Sequence, residues 1–231
     1  MEPADNTGGI TETTKAGDES ALLRFPTFAI EKQLLAEGVS LIAGADEVGR
    51  GALAGPLCVG IVIYEASFID STAGPIPGIN DSKKLTAARR EALYDQIITA
   101  ALAVGIGLAT HEEIDRINIL MASYLAMQRA VGMLIPAADF LLVDGRGLPA
   151  CSEPAHPLIH GDSLSMSIAA ASIIAKVTRD RIMAGLHNAW PEYGFAGHKG
   201  YPTCEHIEAI RRFGLSPVHR RSFHPKALRE E

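Results

Sequence analysis

The sequence predicts an α/β fold in which a mixed β-sheet is flanked by helices, and three observations lead to this prediction. Two β-rich runs come first, LIAGAD at residues 41–46 and LCVGIVIY at residues 57–64. From VGIGLAT at residues 104–110 onward, strand-like runs alternate with segments of helical length. The chain has 231 residues, of which 47% are hydrophobic and 21% are charged, so it can bury a full core without disulfide or metal staples.

The segment before the first strand is predicted in two parts. Residues 1–25 lack hydrophobic periodicity and are rich in Thr, Gly, Glu and Asp, so we expect them to form a disordered tail. This tail starts with neither a basic nor an apolar stretch, so no secretory signal is expected. A short helix is predicted at residues 30–37, where Gly38 ends it.

Later helices are predicted where apolar residues recur between charged ones. Thr110 and Glu113 have the spacing of a capping box, which begins a helix. Residues 65–80 contain prolines and turn formers and are predicted to be a loop. The helices predicted in this part of the chain are 86–102, 119–134 ending before Pro136, a long and central helix at 165–187, and a short one at 205–212.

Acidic residues stand at the ends of three predicted strands. Asp46 ends LIAGAD, Asp144 lies in FLLVDG, and Asp162 ends LIHGD. Asp is common in turns after strands, which would account for each acid singly. Strand ends at one edge of a sheet converge, however, and ligand sites of open α/β sheets favour that edge. We therefore expect these three acids, with Glu47 beside Asp46, to share one site.

Clustered carboxylates repel one another, and each raises the pKa of its neighbours. A divalent cation removes this repulsion, and oxygen ligands without His or Cys indicate Mg²⁺ or Mn²⁺. Four acids can hold two such ions about 4 Å apart, the arrangement for in-line phosphoryl displacement. Neighbours on a regular strand point to opposite faces, so we expect a turn or bulge at Asp46 and Glu47, helped by Gly49.

A glycine-rich stretch, Gly49-Arg50-Gly51 followed by Gly55, superficially resembles a dinucleotide-binding fingerprint. A β-rich run follows it instead of a helix, so the context of that fingerprint is missing. Two interpretations remain. The stretch is either a turn between strands, or a backbone that a sugar or phosphate approaches closely while Arg50 presents its charge.

Several polar and basic residues are candidates for phosphate contacts, and each also has a plain interpretation as a helix cap, a surface residue or a polar tail. Tyr201, between Gly200 and Pro202, is either a packed ring or a stacking platform for a sugar or base. The phosphate candidates are Ser82, Lys83 and Lys84 before a helix, Lys176 and Arg179 on the long helix, Lys199 near Tyr201, and the HRRSFHPK segment at residues 219–226.

Charge and cysteine usage narrow the function classes. The net charge of −6 argues against a protein that coats nucleic acid non-specifically, although the chain is locally basic from Lys176 onward. Without an apolar stretch of about 20 residues, no membrane span is predicted. Cys58, Cys151 and Cys204 are far apart and odd in number, which indicates free thiols in a reducing compartment.

Read in order, several segments of the chain resemble the successive motifs of bacterial ribonuclease HII. They are GADEVGRGALAGP, NDSKKL, HEEIDRINIL, VDGRGLP, HGDS, AAASIIAKVTRDR, YGFAGHKGYPT and HRRSF, and they span residues 43 to 223. This resemblance implies a ribonuclease H-like fold, with a mixed five-stranded sheet flanked by helices and a small helical C-terminal region. It places the catalytic core at residues 26–190 and a region that contributes to substrate binding at residues 191–231.

The resemblance also implies an activity. RNA hybridised to DNA would be cut endonucleolytically, and so would single ribonucleotides within duplex DNA, on their 5′ side, leaving 3′-hydroxyl and 5′-phosphate ends. The Gly49-Arg50-Gly51 backbone would meet the ribose 2′-hydroxyl, and Tyr201 would pack on the sugar at the RNA–DNA junction. The implied catalytic acids, which would hold two Mg²⁺ or Mn²⁺ ions in the presence of substrate, are Asp46, Glu47, Asp144 and Asp162.

The implied partners are RNA–DNA hybrids and ribonucleotide-containing duplex DNA, and we expect a monomer in the cytoplasm with no membrane attachment. Two rival functions remain open at this point. One is a non-catalytic hybrid-binding protein, against which the intact set of four acids argues. The other is a DNA nuclease or integrase of the same fold, which would lack a sensor for the 2′-hydroxyl.

Overall fold

A computed structural model describes residues 25–71, 76–147 and 153–225 of the chain. Its strands are β1 (Ile42–Val48), β2 (Leu57–Ile63), β3 (Ala103–Ala109), β4 (Phe140–Asp144) and β5 (Ala155–Leu158). They form one five-stranded sheet in the order β3-β2-β1-β4-β5. β1, β2 and β3 pair antiparallel, whereas β4 runs parallel to β1 and β5 runs parallel to β4. The predicted fold class, α/β with a mixed sheet, is confirmed.

Helices cover both faces of this sheet. On one face the long helix α6 (Met166–Ala189) packs on β1 and β2, with α3 (Ala87–Ala100) beside it. On the other face α4 (His111–Val131) packs on β2 and β3. The shorter helices are α1 (Ala29–Ala36), α2 (Ala66–Ile69), α5 (Gly161–Leu164), α7 (Phe195–His198) and α8 (Cys204–Phe213).

The two-residue alternation of β1 decides where its acids point. Ala45 belongs to the core beneath α4, whereas Gly44 lies against α6, so closely that a Cβ there would overlap the backbone at Ser167. Because successive side chains of a strand face opposite sides, Asp46 is directed toward α6 and Glu47 toward α4. The sheet therefore delivers two adjacent carboxylates to its two faces at one strand end.

The start of α4 follows its sequence signal. The hydroxyl of Thr110 accepts the N–H of Glu113 (3.2 Å), and the Glu113 carboxylate accepts the N–H of Thr110 (2.9 Å), so the predicted capping box is confirmed. The separate helix predicted at residues 119–134 is instead the second part of α4. A kink at Asn118, with φ of 67°, marks the join, and its side-chain oxygen accepts the N–H groups of Leu120 and Met121.

Two other predictions need correction. The stretch 65–80 is not all loop, because α2 lies within it, and residues 72–75 are outside the described residues. The run LIHGD is not a strand up to its acid. Instead β5 ends at Leu158, His160 adopts a left-handed conformation with φ of 57°, and Asp162 lies in α5.

Beyond α6 the chain forms a small helical region with its own apolar cluster. Phe195, Ile207 and Ile210 of this region pack with Leu53, which follows β1, and with Met183 of α6. The region is thus seated on the turn that leaves the first strand. The predicted tail at residues 1–25 lies outside the described residues apart from Phe25, and so do residues 226–231.

Within residues 25–71, 76–147 and 153–225, none of the helices combines the length and apolar character that a membrane span requires.

Candidate active site

The four predicted acids lie around one edge of the sheet. Asp46 and Glu47 stand at the carboxyl end of β1, and Asp144 ends the parallel neighbour β4. Asp162 lies in the first turn of α5, and the N–H of Gly161 donates to Asp144 Oδ1 (2.8 Å), which ties α5 to the end of β4. The acids therefore gather as expected, although Asp162 arrives on a helical turn and not at a strand exit.

The prediction of a turn or bulge at Asp46 and Glu47 is wrong. β1 keeps its regular antiparallel pairing with β2 through Val48, opposite Cys58, and the chain turns only at Gly49. Glu47 still serves both faces of the strand end, because it lines one cavity with Asp46 and another with Asp144. Because the glutamate side chain is long enough to line both cavities, the backbone does not need to be distorted at this point.

Asp46 is the buried member of the group. Its Oδ1 accepts the N–H of Glu47 (2.7 Å), and its carboxyl also hydrogen-bonds the side chain of Ser172 on α6. Burial above all, and then the carboxylates of Asp144 and Glu47, raise the pKa of Asp46 to about 8. A carboxyl group in this position is poorly stabilised as an anion by the protein alone.

The same mutual repulsion reaches Asp162 and a neighbouring lysine. Burial, followed by the carboxylates of Asp144 and Asp81, raises the pKa of Asp162 above its ordinary value. Burial works against the charge of Lys83, yet Asp46, Asp81 and the other acids raise its pKa overall. The site therefore has a strongly negative field, which favours any cation that enters it.

The donor set of this site fits hard divalent cations. All four side chains offer carboxylate oxygens, and the raised pKa values of Asp46 and Asp162 reveal negative charge that a cation would relieve. Among the described residues, no three acidic, histidine or cysteine side chains stand close enough to form a ready-made metal cluster. Glu47 instead pairs with Arg50 (2.9 Å). The protein thus supplies the right ligands in a loose arrangement.

The glycine stretch forms the turn directly after β1. Gly49 has φ of +95°, and a Cβ there would overlap the guanidinium of Arg179, so glycine is needed for both backbone conformation and space. Gly51 is exposed, and a Cβ added to it meets nothing within 4 Å. The open side of the turn can therefore be approached closely by a ligand.

Tyr201 faces the same cavity as Asp46 and Glu47. Its ring lies over the guanidinium of Arg179, with 5.4 Å from Cζ to the ring centroid. Arg179 is fully buried, so the alternative interpretation of this residue as a surface arginine is wrong, and its guanidinium does not face the surface where a phosphate would bind. Its guanidinium donates to three backbone carbonyls, those of Pro56 (2.8 Å), Lys199 (2.9 Å) and Ala54 (3.2 Å).

The remaining phosphate candidates are placed unequally. Ser82 is buried, and its hydroxyl oxygen lies 2.7 Å from that of Ser172, so its side chain faces inward. Lys83 and Lys84 are exposed beside it on a 3₁₀ turn. Lys176 pairs with Asp180 (2.6 Å) and lines the cavity of Asp46, as well as a groove that it shares with Arg90, Arg181 and Lys199.

Comparison with known proteins agrees with this geometry. The sequence profile of the family described as Ribonuclease HII matches residues 43–226, which is more than half of the chain. The chain belongs to the ribonuclease HII family. Members of this family are endoribonucleases, so the chain is a phosphodiester hydrolase. Its four acids and its glycine turn all lie within the matched residues.

Two bacterial relatives and one solved structure illustrate the membership. Ribonuclease HII of Ruegeria pomeroyi is 54% identical over 86% of this chain and 82% of its own length. Ribonuclease HII of Clostridioides difficile is 49% identical over 81% of this chain and 71% of its own length. The crystal structure of ribonuclease H2 from Pyrococcus horikoshii superposes with a TM-score of 0.65 at 28% identity, covering 79% of this chain and 93% of that one.

The sequence did not assign Ser172 and Tyr124, which this ribonuclease HII fold brings to the acids, and it assigned Arg220 only as part of the HRRSFHPK segment. Ser172 contacts Asp46 from α6, and Tyr124 of α4 lines the cavity of Asp144. Arg220, in the C-terminal segment, is fully buried and reaches the glycine turn. A serine inside the apolar run AAASIIAK was a signal for the first of these. Nothing in the local sequence distinguishes a buried Arg220 from the exposed Arg221 that follows it.

Proposed function

We propose that this chain is a metal-dependent endonuclease that hydrolyses the RNA strand of RNA–DNA hybrids and cuts on the 5′ side of single ribonucleotides embedded in duplex DNA. Its products would carry 3′-hydroxyl and 5′-phosphate ends. One observation carries the proposal: the acids Asp46 and Glu47 share one cavity with Tyr201 and lead directly into the glycine turn. The residues proposed to catalyse the reaction and those proposed to recognise the sugar thus lie next to each other.

The acids are proposed to hold the catalytic metal. Asp46, Glu47, Asp144 and Asp162 would bind two Mg²⁺ or Mn²⁺ ions in the presence of substrate. Such ions, when bound, supply an activated water and stabilise the leaving 3′-oxygen. Ser172 and the N–H of Glu47 hold the Asp46 carboxyl, and Gly161 holds that of Asp144, so these two ligands are oriented by the protein.

The glycine turn is proposed to read the sugar. The 2′-hydroxyl is the one local group that separates a ribonucleotide from a deoxyribonucleotide, so a selective enzyme must contact it directly. Arg50 and Gly51 are exposed next to Glu47, and open space surrounds the Cβ side of Gly51, whereas Gly49 is buried against Arg179 and holds the turn. Backbone N–H and C=O groups suit a hydroxyl, which both donates and accepts.

The basic side chains near the acids are proposed to hold the phosphates. Lys83 and Lys176 line the Asp46 cavity, and Lys176 also lines a groove with Lys199. Lys84 is exposed next to Lys83 on the same 3₁₀ turn. Arg179, with its guanidinium occupied by carbonyls, would act by holding the Tyr201 turn. In this proposal residues 26–190 provide the catalytic core, and residues 191–231 contribute to substrate binding through Tyr201 and Lys199. The enzyme would work as a cytoplasmic monomer.

A cleavage assay separates this proposal from its rivals. Duplexes of one sequence would carry zero, one or four ribonucleotides, and each would be incubated with Mg²⁺, with Mn²⁺ or with a chelator. We expect cleavage of the second and third duplexes only, and only with metal. A non-catalytic hybrid-binding protein would cut none of them, and a DNA nuclease would cut all three. Product ends would be checked by ligation and by extension with a polymerase.

A further inference from the structure

We propose that Arg220 is a positioning residue that aims the N–H of Gly51 at the substrate sugar. The inference deepens the proposed function, because it rests on the glycine turn reading the 2′-hydroxyl. Arg220 lies in the C-terminal segment and contacts Arg50 of the glycine turn, which is 170 residues away along the chain. It is fully buried, so it reaches the substrate through the turn and not by direct contact.

The contacts of Arg220 fix both ends of the turn that follows Glu47. Its Nη1 donates to the carbonyl of Arg50 (3.0 Å). Its Nε and Nη2 donate to the carbonyl of Gly55 at 3.1 and 3.0 Å. Its own backbone N–H donates to the carbonyl of Leu53 (2.8 Å), and the N–H of Gly55 donates to Val218 (2.9 Å). One side chain thus spans the turn from its exposed tip to its buried end.

The bond to Arg50 determines where the next N–H points. The carbonyl of Arg50 and the N–H of Gly51 belong to one planar peptide unit, in which the C=O and N–H bonds of the trans form point in opposite directions. Arg220 draws the carbonyl inward, so the N–H of Gly51 faces outward. Gly51 is exposed there and has open space on its Cβ side. The result is a fixed donor at the surface, two residues beyond Gly49.

The electrostatic cost of this arrangement argues against a purely stabilising role. Burial, and then the charge of Arg179, lower the pKa of Arg220 to about 9. Arg179 itself lies under Gly49, so two buried guanidinium groups support one short turn. A buried charge needs excellent hydrogen bonding to offset its desolvation, and apolar residues of similar size are often at least as stable. Two buried guanidinium groups at one turn indicate that they serve to fix the conformation of the turn and not only to stabilise the fold.

Arginine has a property here that lysine lacks. Its planar fork offers donors in fixed directions, and three of them are used on two carbonyls. A lysine keeps the positive charge but cannot hold both carbonyls in the same fixed geometry. Arg220→Lys therefore separates the charge of the side chain from its bridging geometry.

The test uses the holoenzyme in Mg²⁺ and three measurements on each variant. They are kcat and KM for a duplex with one ribonucleotide, Ki for the all-DNA duplex of the same sequence used as a competitor, and Tm. The matched control is Arg129→Lys, which replaces an arginine that also bridges a carbonyl, that of Leu108, but lies remote on α4. For Arg220→Lys we expect kcat/KM to fall about tenfold or more, as for one misaligned buried hydrogen bond. The Ki of Arg220→Lys for the all-DNA duplex should stay within about twofold of the wild-type value. All three measurements on the Arg129→Lys control should also stay near wild type, because changes at exposed positions usually have small effects.

Each other outcome overturns the inference. An unchanged kcat/KM in Arg220→Lys would show that Arg220 is an ordinary structural residue. Equal increases in Ki and KM together with a lower Tm would show the same. Arg220→Gln, which keeps an N–H₂ donor group without the charge, serves as the second variant. If circular dichroism shows both variants unfolded, the side chain is needed for folding and the positioning role is rejected. A wild-type enzyme that cuts no ribonucleotide would instead refute the proposed function itself.

Discussion

His219 donates a hydrogen bond to His206 within the C-terminal region, with their Nε2 atoms 3.0 Å apart. The direction follows from the neighbours. The backbone N–H of Ser216 donates to Nδ1 of His219 (2.9 Å), so the hydrogen of that ring is on Nε2. His206 then accepts on Nε2 and donates from Nδ1 to the carbonyl of Tyr201 (3.0 Å). Two neutral histidines thus connect the C-terminal segment to the residue proposed to meet the sugar.

These histidines should make stability depend on pH. Burial above all, and then a neighbouring histidine, lower the pKa of both His206 and His219 to about 4. Unfolded histidines titrate near 6.5, so between these values the unfolded state binds more protons and stability falls as pH falls. Relative to His206→Gln, the wild-type protein should lose about 1 to 2 kcal/mol of unfolding free energy between pH 7 and pH 5, as measured by urea denaturation.

The comparison with a variant is needed because Asp46 acts in the opposite direction. Its raised pKa stabilises the folded state as pH falls, and this contribution is common to both proteins and cancels. His156→Gln, which removes an exposed histidine on β5, is the matched control and should keep the wild-type dependence. Equal pH dependence in wild type and His206→Gln would show that the buried pair is not responsible.

Removing one acid should separate catalysis from stability. In Asp46→Asn, the repulsion from Asp144 and Glu47 is relieved, so the metal-free melting temperature should be unchanged or higher. Cleavage in Mg²⁺ should be abolished. Mn²⁺ should raise the melting temperature of the wild type, because it binds the folded state, and raise that of the variant less. Full activity of Asp46→Asn would contradict the assignment, and Asp95→Asn on α3 serves as the control.

A third prediction concerns the packing that sets the distance between sheet and helix. Gly107 of β3 lies so close to α4 that an added Cβ would overlap the carbonyl oxygen of Ala126. Gly107→Ala should therefore lower the unfolding free energy by about 1–3 kcal/mol, the usual cost of overpacking. Gly185→Ala is the control, since Gly185 is exposed on α6 with open space around its Cβ position. That change should stabilise the helix slightly. Similar denaturation midpoints for the two variants would refute the packing argument.

Local signals predicted local structure well, and the exceptions depend on distant partners. The capping box at Thr110 and the first four strand-like runs needed only neighbouring residues, and the structure has the capping box and β1 to β4 there. The position of Asp162 on α5 was missed because a left-handed His160 has no signature in sequence. From the sequence, Arg179 and Arg220 were each either a phosphate contact or a residue of the surface or of a polar tail, whereas both are buried. Apart from Lys199, their carbonyl partners lie more than 120 positions away along the chain, so no local pattern reveals their burial.

Tyr201 provides the last prediction, on the choice between single ribonucleotides and long hybrids. Its ring lies over Arg179 and faces the cavity of Asp46, and Pro202 restricts its backbone to extended conformations. A ring held this way loses little entropy when it packs on a sugar. A deoxyribose after the ribonucleotide offers an apolar face without a 2′-hydroxyl, so the ring should favour an RNA–DNA junction.

Tyr201→Ala should therefore slow cleavage at a single embedded ribonucleotide by about 5- to 150-fold, since such contacts contribute about 1–3 kcal/mol. Cleavage within a long RNA–DNA hybrid lacks that deoxyribose and should suffer less. Tyr201→Phe keeps the ring and serves as the control, so it should retain most of the preference for the junction. If the tyrosine only packs the turn, Tyr201→Ala will lose activity equally on both substrates and melt at a lower temperature. Values of kcat/KM on both substrates, together with melting curves of the three proteins, distinguish a sugar platform from a packed ring.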